Sequence, residues 1–178
     1  MRKLSTVKCS VITALCTSLC IVLPMAFHAI PQGGVVFAPM HIPVLLCGLI
    51  CPWPYGLFCG LAGPLISSVL TGMPAAAILP AMMIECAVYG TVCGIMMKKV
   101  SIGKPVADVY ISMVTAMAAG RIVSGLARAF LFSAGGYTLA VWAGTYFVTG
   151  LPGLIIQLAL VPAVMVALYK AKLIPERY

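Results

Sequence analysis

Charge is scarce in this sequence: 8% of its 178 residues are Asp, Glu, Lys or Arg, and three of these are acidic. An ordinary soluble domain has about a quarter charged residues, so a soluble module is excluded. None of the eight cysteines stands in a C-x-x-C pair, which removes the usual spacing of zinc and dithiol redox sites and leaves no metal to expect. The chain also lacks a Gly-x-x-x-x-Gly-Lys-Ser/Thr phosphate loop and therefore does not hydrolyse ATP by that route. No repeat of 20 to 50 residues is visible, and no inverted duplication of the kind that builds many secondary carriers.

What the chain has is apolar length. Hydrophobic residues make up 63% of it, and its mean hydropathy is +1.15. A hydrocarbon core about 30 Å thick takes roughly 20 helical residues per crossing, so this length holds about six spans joined by short loops. The expected fold is an all-α membrane protein of six transmembrane helices forming one domain, residues 1–178.

The formal charge of +8 reads as topology rather than nucleic-acid binding, because of where the charges sit. Arg2, Lys3 and Lys8 precede the first apolar run, Lys98, Lys99 and Lys104 lie mid-chain, and Lys170, Lys172 and Arg177 close it. Placing all three groups in the cytoplasm satisfies the positive-inside rule and puts both termini there. The basic tip and first run also resemble a secretory leader, with Ala26-x-x-Ala29 as a loose cleavage motif. The run is long for a leader and is followed by further membrane segments, so it is read as a span.

The spans are expected at residues 7–27, 38–51, 55–70, 75–97, 106–132 and 148–169. Ser10, Ala14 and Ser18 recur every four residues in the first and line one face that a neighbour can approach closely. The second is short, with Pro43 in its first turn. Gly56, Gly60, Gly63 and Ser67 share a face of the third. Residues 28–40 and 133–146 are expected as irregular outer segments, and the cysteines as small apolar packing residues.

Ionisable groups inside a membrane are costly and are functional candidates by default. Glu85 in the fourth span and Arg121 and Arg128 in the fifth lie deep. The two arginines are seven residues apart on one face, with Ser124 and Gly125 leaving room between them. One carboxylate does not neutralise two guanidinium groups, so an anionic or strongly polar solute would complete the balance. The plainer reading, a buried Glu85 and Arg121 pair that only fixes two helices with Arg128 reaching the interface, stands beside it. Tyr89, one turn from Glu85, Gln157 in the sixth span, and His28 and His41 flanking the first outer loop complete the substrate-site candidates.

These features resemble the substrate-specific S components of energy-coupling factor (ECF) vitamin transporters. The resemblance rests on six spans with both ends inside, the small face of span one, and Pro39-Met40-His41-Ile42-Pro43-Val44 opening a short span two. It continues through Gly60-Leu61-Ala62-Gly63-Pro64, Leu70-Thr71-Gly72-Met73-Pro74 and Gly120-Arg121-Ile122-Val123. It implies a small helical binding subunit without a cofactor that captures a vitamin or related micronutrient at the plasma membrane. Such a subunit docks on a membrane coupling subunit driven by two ATPase subunits. It also implies a pocket on spans four to six, closed by loops at residues 28–40, 71–74 and 133–146. The family's coupling face is an Ala-x-x-x-Ala pair in span one; here it reads Ala14-Leu15-Cys16-Thr17-Ser18, with serine in place of the second alanine.

Among solutes, the arginines favour a carboxylate or phosphate; pantothenate stands first, with folate, cobalamin or another micronutrient behind it. Two other classes compete. An intramembrane hydrolase built from Cys86, Glu85 and a histidine suffers because Cys86 points about 100° away from Glu85 on a helix. A structural or assembly protein predicts no stabilisation by any ligand.

Overall fold

In hydrocarbon every backbone N–H and C=O must be satisfied by the protein itself, which leaves helices and closed barrels, and continuous apolar runs of about 20 residues suit helices. The computed structural model describes residues 4–27, 33–131 and 138–174. The elements are α1 (Thr6–Ala26), α2 (Gly33–Phe37), α3 (His41–Ile50), α4 (Trp53–Thr71), α5 (Leu79–Lys99), α6 (Pro105–Leu131), α7 (Leu139–Ala143), a π-helical turn Gly144–Thr149 and α8 (Leu151–Lys170). The described residues contain no strand. Helices α1, α4, α5, α6 and α8 are long and apolar enough to cross a membrane. The exterior is apolar too: Val11, Leu15, Phe58, Val69, Leu126 and Phe130 are all exposed, as lipid contact requires and water does not tolerate over such an area.

The second expected span is the ten-residue α3, about 15 Å long at 1.5 Å per residue and half the hydrocarbon thickness. Its start is set by Ala38, which takes the left-handed conformation (φ 44°) and turns the chain into the bundle. Both loops expected to be irregular hold short helices, α2 within 28–40 and α7 within 133–146. The fourth helix begins at Leu79 rather than 75, because residues preceding it form turns and Pro80 suits only its first turn.

Helix α5 is central and packs against α3, α4 and α6. Its contact with α4 depends on glycine: a Cβ on Gly90 would meet the backbone of Gly56, and one on Gly60 the backbone of Cys86. The two backbones thus touch, which raises dispersion contact where the hydrophobic effect gives no driving force. All eight cysteines are buried. Cys20 and Cys47 point weak thiol donors at the Met40 and Tyr55 carbonyls, each at 3.6 Å.

On α1, Cys9, Thr13, Cys16 and Cys20 face inward, while Ser10, Ala14 and Ser18 lie on the exposed side. The Ser10 and Ser18 hydroxyls each donate to the carbonyl four residues back at 3.0 Å, so the stripe presents a small surface with its polar groups satisfied. It is not packed within the bundle.

Candidate functional site

Helices α3, α5 and α8 begin, and α6 ends, at the same end of the bundle. There they enclose a cavity of about 240 Å³ lined by Gly34, Ala38, His41, Ile78, Met82, Glu85, Tyr89, Arg121, Arg128, Gly150 and Gln157. Six residues singled out from the sequence therefore share one chamber: His41, Glu85, Tyr89, Arg121, Arg128 and Gln157. At about 30 Å³ per water molecule it holds the equivalent of about eight waters, room for a small solute. Because α5 begins at Leu79, Glu85 lies about 9 Å along the helix axis from that end, shallower than a start at 75 implies.

The carboxylate is hydrogen-bonded on its own helix and lies close to a side chain of α3. The Tyr89 hydroxyl, one turn along α5, donates to Glu85 Oε1 at 3.0 Å, and His41 Nε2 lies 3.6 Å from the same oxygen. The imidazole and phenol rings sit 5.1 Å apart, tilted by 55°. His41 is thus buried in the bundle rather than exposed as its place beside a loop suggests, because it is the first residue of α3 and that helix starts next to Glu85.

The carbonyl of Ala38 is the second anchor. It accepts from His41 Nδ1 at 3.2 Å and from Gln157 Nε2 at 3.4 Å, so Nδ1 of this imidazole carries a proton. Gln157 is 2% exposed, and its Oε1 is buried with no hydrogen-bond partner among the described residues. An unmatched buried acceptor costs free energy, a cost that a solute bearing a donor would remove.

Ser124 does not line the chamber. It is fully buried and donates to the Ala81 carbonyl at 3.2 Å, joining α6 to α5. The space beside Gly125 is filled by the Trp142 indole, which a Cβ there would overlap, and Trp142 Nε1 donates to the Arg121 carbonyl at 3.2 Å. His28 lies outside the described residues. Cys86 is buried against α4 and is not a lining residue. Among the described residues no group of three His, Cys, Asp or Glu side chains is placed to hold a metal.

Sequence reasoning overlooked Ile78 and Met82, although positions 78, 82, 85 and 89 repeat on one helical face and so were legible. It also missed the Ala38 carbonyl, whose role comes from a left-handed alanine that no local pattern announces.

No curated protein and no solved structure matches the chain. A family model described as the substrate-specific component of ECF transporters matches residues 8–171. The chain accordingly belongs to the ECF transporter substrate-specific component family and is a multi-pass membrane subunit of a transporter, not an enzyme.

Proposed function

We propose that the chamber between α3, α5, α6 and α8 captures an anionic, hydrogen-bonding micronutrient of the vitamin type from outside the cell, with pantothenate the first candidate. The observation that carries this reading is the convergence of Arg121, Arg128, Glu85, His41, Tyr89 and Gln157 on one cavity. Two guanidinium groups against one carboxylate leave positive charge in excess. An anionic group balances it, and Arg offers carboxylates and phosphates a two-pronged fork. Pantothenate brings a carboxylate for the arginines and hydroxyl and amide donors for the Gln157 oxygen.

In this reading the chain is one domain of six membrane segments, α3 being a half-depth one, with both termini cytoplasmic and the chamber at the outer end. The basic clusters at the start, in the α5–α6 turn and at the end support that orientation. A membrane coupling subunit and two ATPase subunits supply the work, and the exposed Ser10, Ala14 and Ser18 face is the contact for the coupling subunit.

Small-molecule mass spectrometry of what co-purifies with the protein tests the capture reading, backed by thermal shifts with a vitamin panel. Absence of any co-purifying anion, together with no vitamin-induced stabilisation, would leave a structural role. Reporter fusions at Gly103 and Tyr178 should read cytoplasmic, and those at Gly34, Gly72 and Gly136 external.

A further inference from the structure

Arg121 lines two cavities. Besides the polar chamber, it borders a cleft of about 330 Å³ between α6 and α8, walled by Val114, Met117, Ala118, Leu154, Leu158 and Trp142. The two helices divide their faces between these spaces. On α8, Gln157 faces the chamber while Leu154 and Leu158 face the cleft. On α6, Arg128 belongs to the chamber, Val114 and Ala118 to the cleft, and Arg121 to both. An arginine suits that seam, since its guanidinium serves a polar neighbour while its methylene stem packs against an apolar one.

The indole of Trp142 is fixed at the same seam. Its Nε1 donates to the Arg121 carbonyl at 3.2 Å, and the absence of a side chain at Gly125 lets the ring lie against α6. An aromatic wall with its polar edge already satisfied by protein presents a face for apolar contact.

We propose that the captured solute is amphipathic: its carboxylate or phosphate lies in the chamber with Arg121 and Arg128, and its apolar portion passes Arg121 into the α6–α8 cleft against Trp142. This rests on the reading of the chamber as the capture site. Charge complementarity at the arginines and the place of Arg121 on the border of both spaces select this occupant over a hydrocarbon chain lying in the cleft alone, which would leave the arginines without an anion.

The test uses the full chain in nanodiscs as a Trp53→Phe variant, which leaves Trp142 the sole tryptophan of the two. The probe is 4-bromophenylacetate, whose carboxylate suits the chamber and whose heavy atom quenches an indole on contact. Saturable quenching is expected, with a midpoint at least about tenfold below that of uncharged 4-bromotoluene, the scale of one charge-assisted pair. Ala118→Phe, or Val114→Phe should the first fail to fold, occupies the cleft and should weaken quenching by about tenfold or more.

Arg128→Gln should weaken it as well. If Arg128→Gln has no effect while Ala118→Phe abolishes quenching, the ring binds without help from the chamber and the capture reading itself fails. If calorimetry shows Arg128-dependent binding without any quenching of Trp142, the chamber stands and the two-part site is overturned. Nanodiscs of phosphatidylcholine brominated on its acyl chains provide the last arm. Quenching there that the non-brominated phenylacetate does not relieve identifies a lipid seat and also overturns the proposal.

Discussion

Replacing Gln157 by Met should make the empty protein more stable and the loaded one weaker. The side chain is buried on α8; its amide nitrogen is 3.4 Å from the Ala38 carbonyl, and Oε1 has no hydrogen-bond partner among the described residues. Flipping the amide offers no remedy, because it would set one oxygen against another. Met is close to Gln in length and volume and is adaptable in packing, so the substitution removes both polar groups without opening a cavity. The lost bond is long and is worth about 0.5–1 kcal/mol, in keeping with roughly 0.6 kcal/mol for interhelical bonds in membranes. Removing a desolvated acceptor returns about 1–3 kcal/mol. The balance is a gain of about 1 kcal/mol, or roughly 2–4 °C in Tm for a chain of this size.

With solute bound the sign reverses. A ligand donor that pairs with Oε1 loses a bond worth about 1–1.5 kcal/mol, about tenfold in Kd. Thermal unfolding in detergent, run without and with the solute that mass spectrometry identifies, reads both effects on one variant. A ligand-free Gln157→Met protein that melts below the parent would refute the account of the orphan acceptor. Unchanged affinity would remove Gln157 from the site.

Arg121→Ala and Glu85→Ala should each abolish solute binding while the protein still inserts, since each leaves buried charge poorly compensated; parental affinity in both purified variants moves the site elsewhere. Ala14→Leu adds bulk to an exposed face of α1 and should leave affinity unchanged in the isolated protein but stop uptake in cells carrying the whole transporter, so normal uptake defeats the coupling assignment. Gly90→Ala drives a methyl into the Gly56 backbone and should cost about 1–3 kcal/mol or more. A Gly90→Ala protein that melts with the parent would contradict the close α4–α5 contact.

Local physics reaches a certain distance into this protein. Hydropathy is a property of consecutive residues, and the bilayer demands a backbone satisfied by the protein itself, which apolar runs of about 20 residues meet as helices, so the helical class and the five long apolar helices follow from composition and run length alone. The cost of burying charge singled out Glu85, Arg121 and Arg128 just as directly, because it needs only the knowledge that they interrupt apolar runs. Helical periodicity paired Tyr89 with Glu85 and aligned the small stripe of α1, although which way that stripe faces depended on what packs behind Cys9, Thr13 and Cys16.

The assembly of the chamber belongs to the tertiary structure. His41 reaches Glu85 because α3 is only ten residues long and starts inside the bundle, and Gln157 meets Ala38 across 119 residues of sequence. Ser124, a pocket residue by spacing, is spent on the Ala81 carbonyl. The division of Arg121 between a polar chamber and an apolar cleft depends on how far α6 stands from α8. No periodicity encodes that gap, since helix separation is set by side chains that meet only once distant segments have packed.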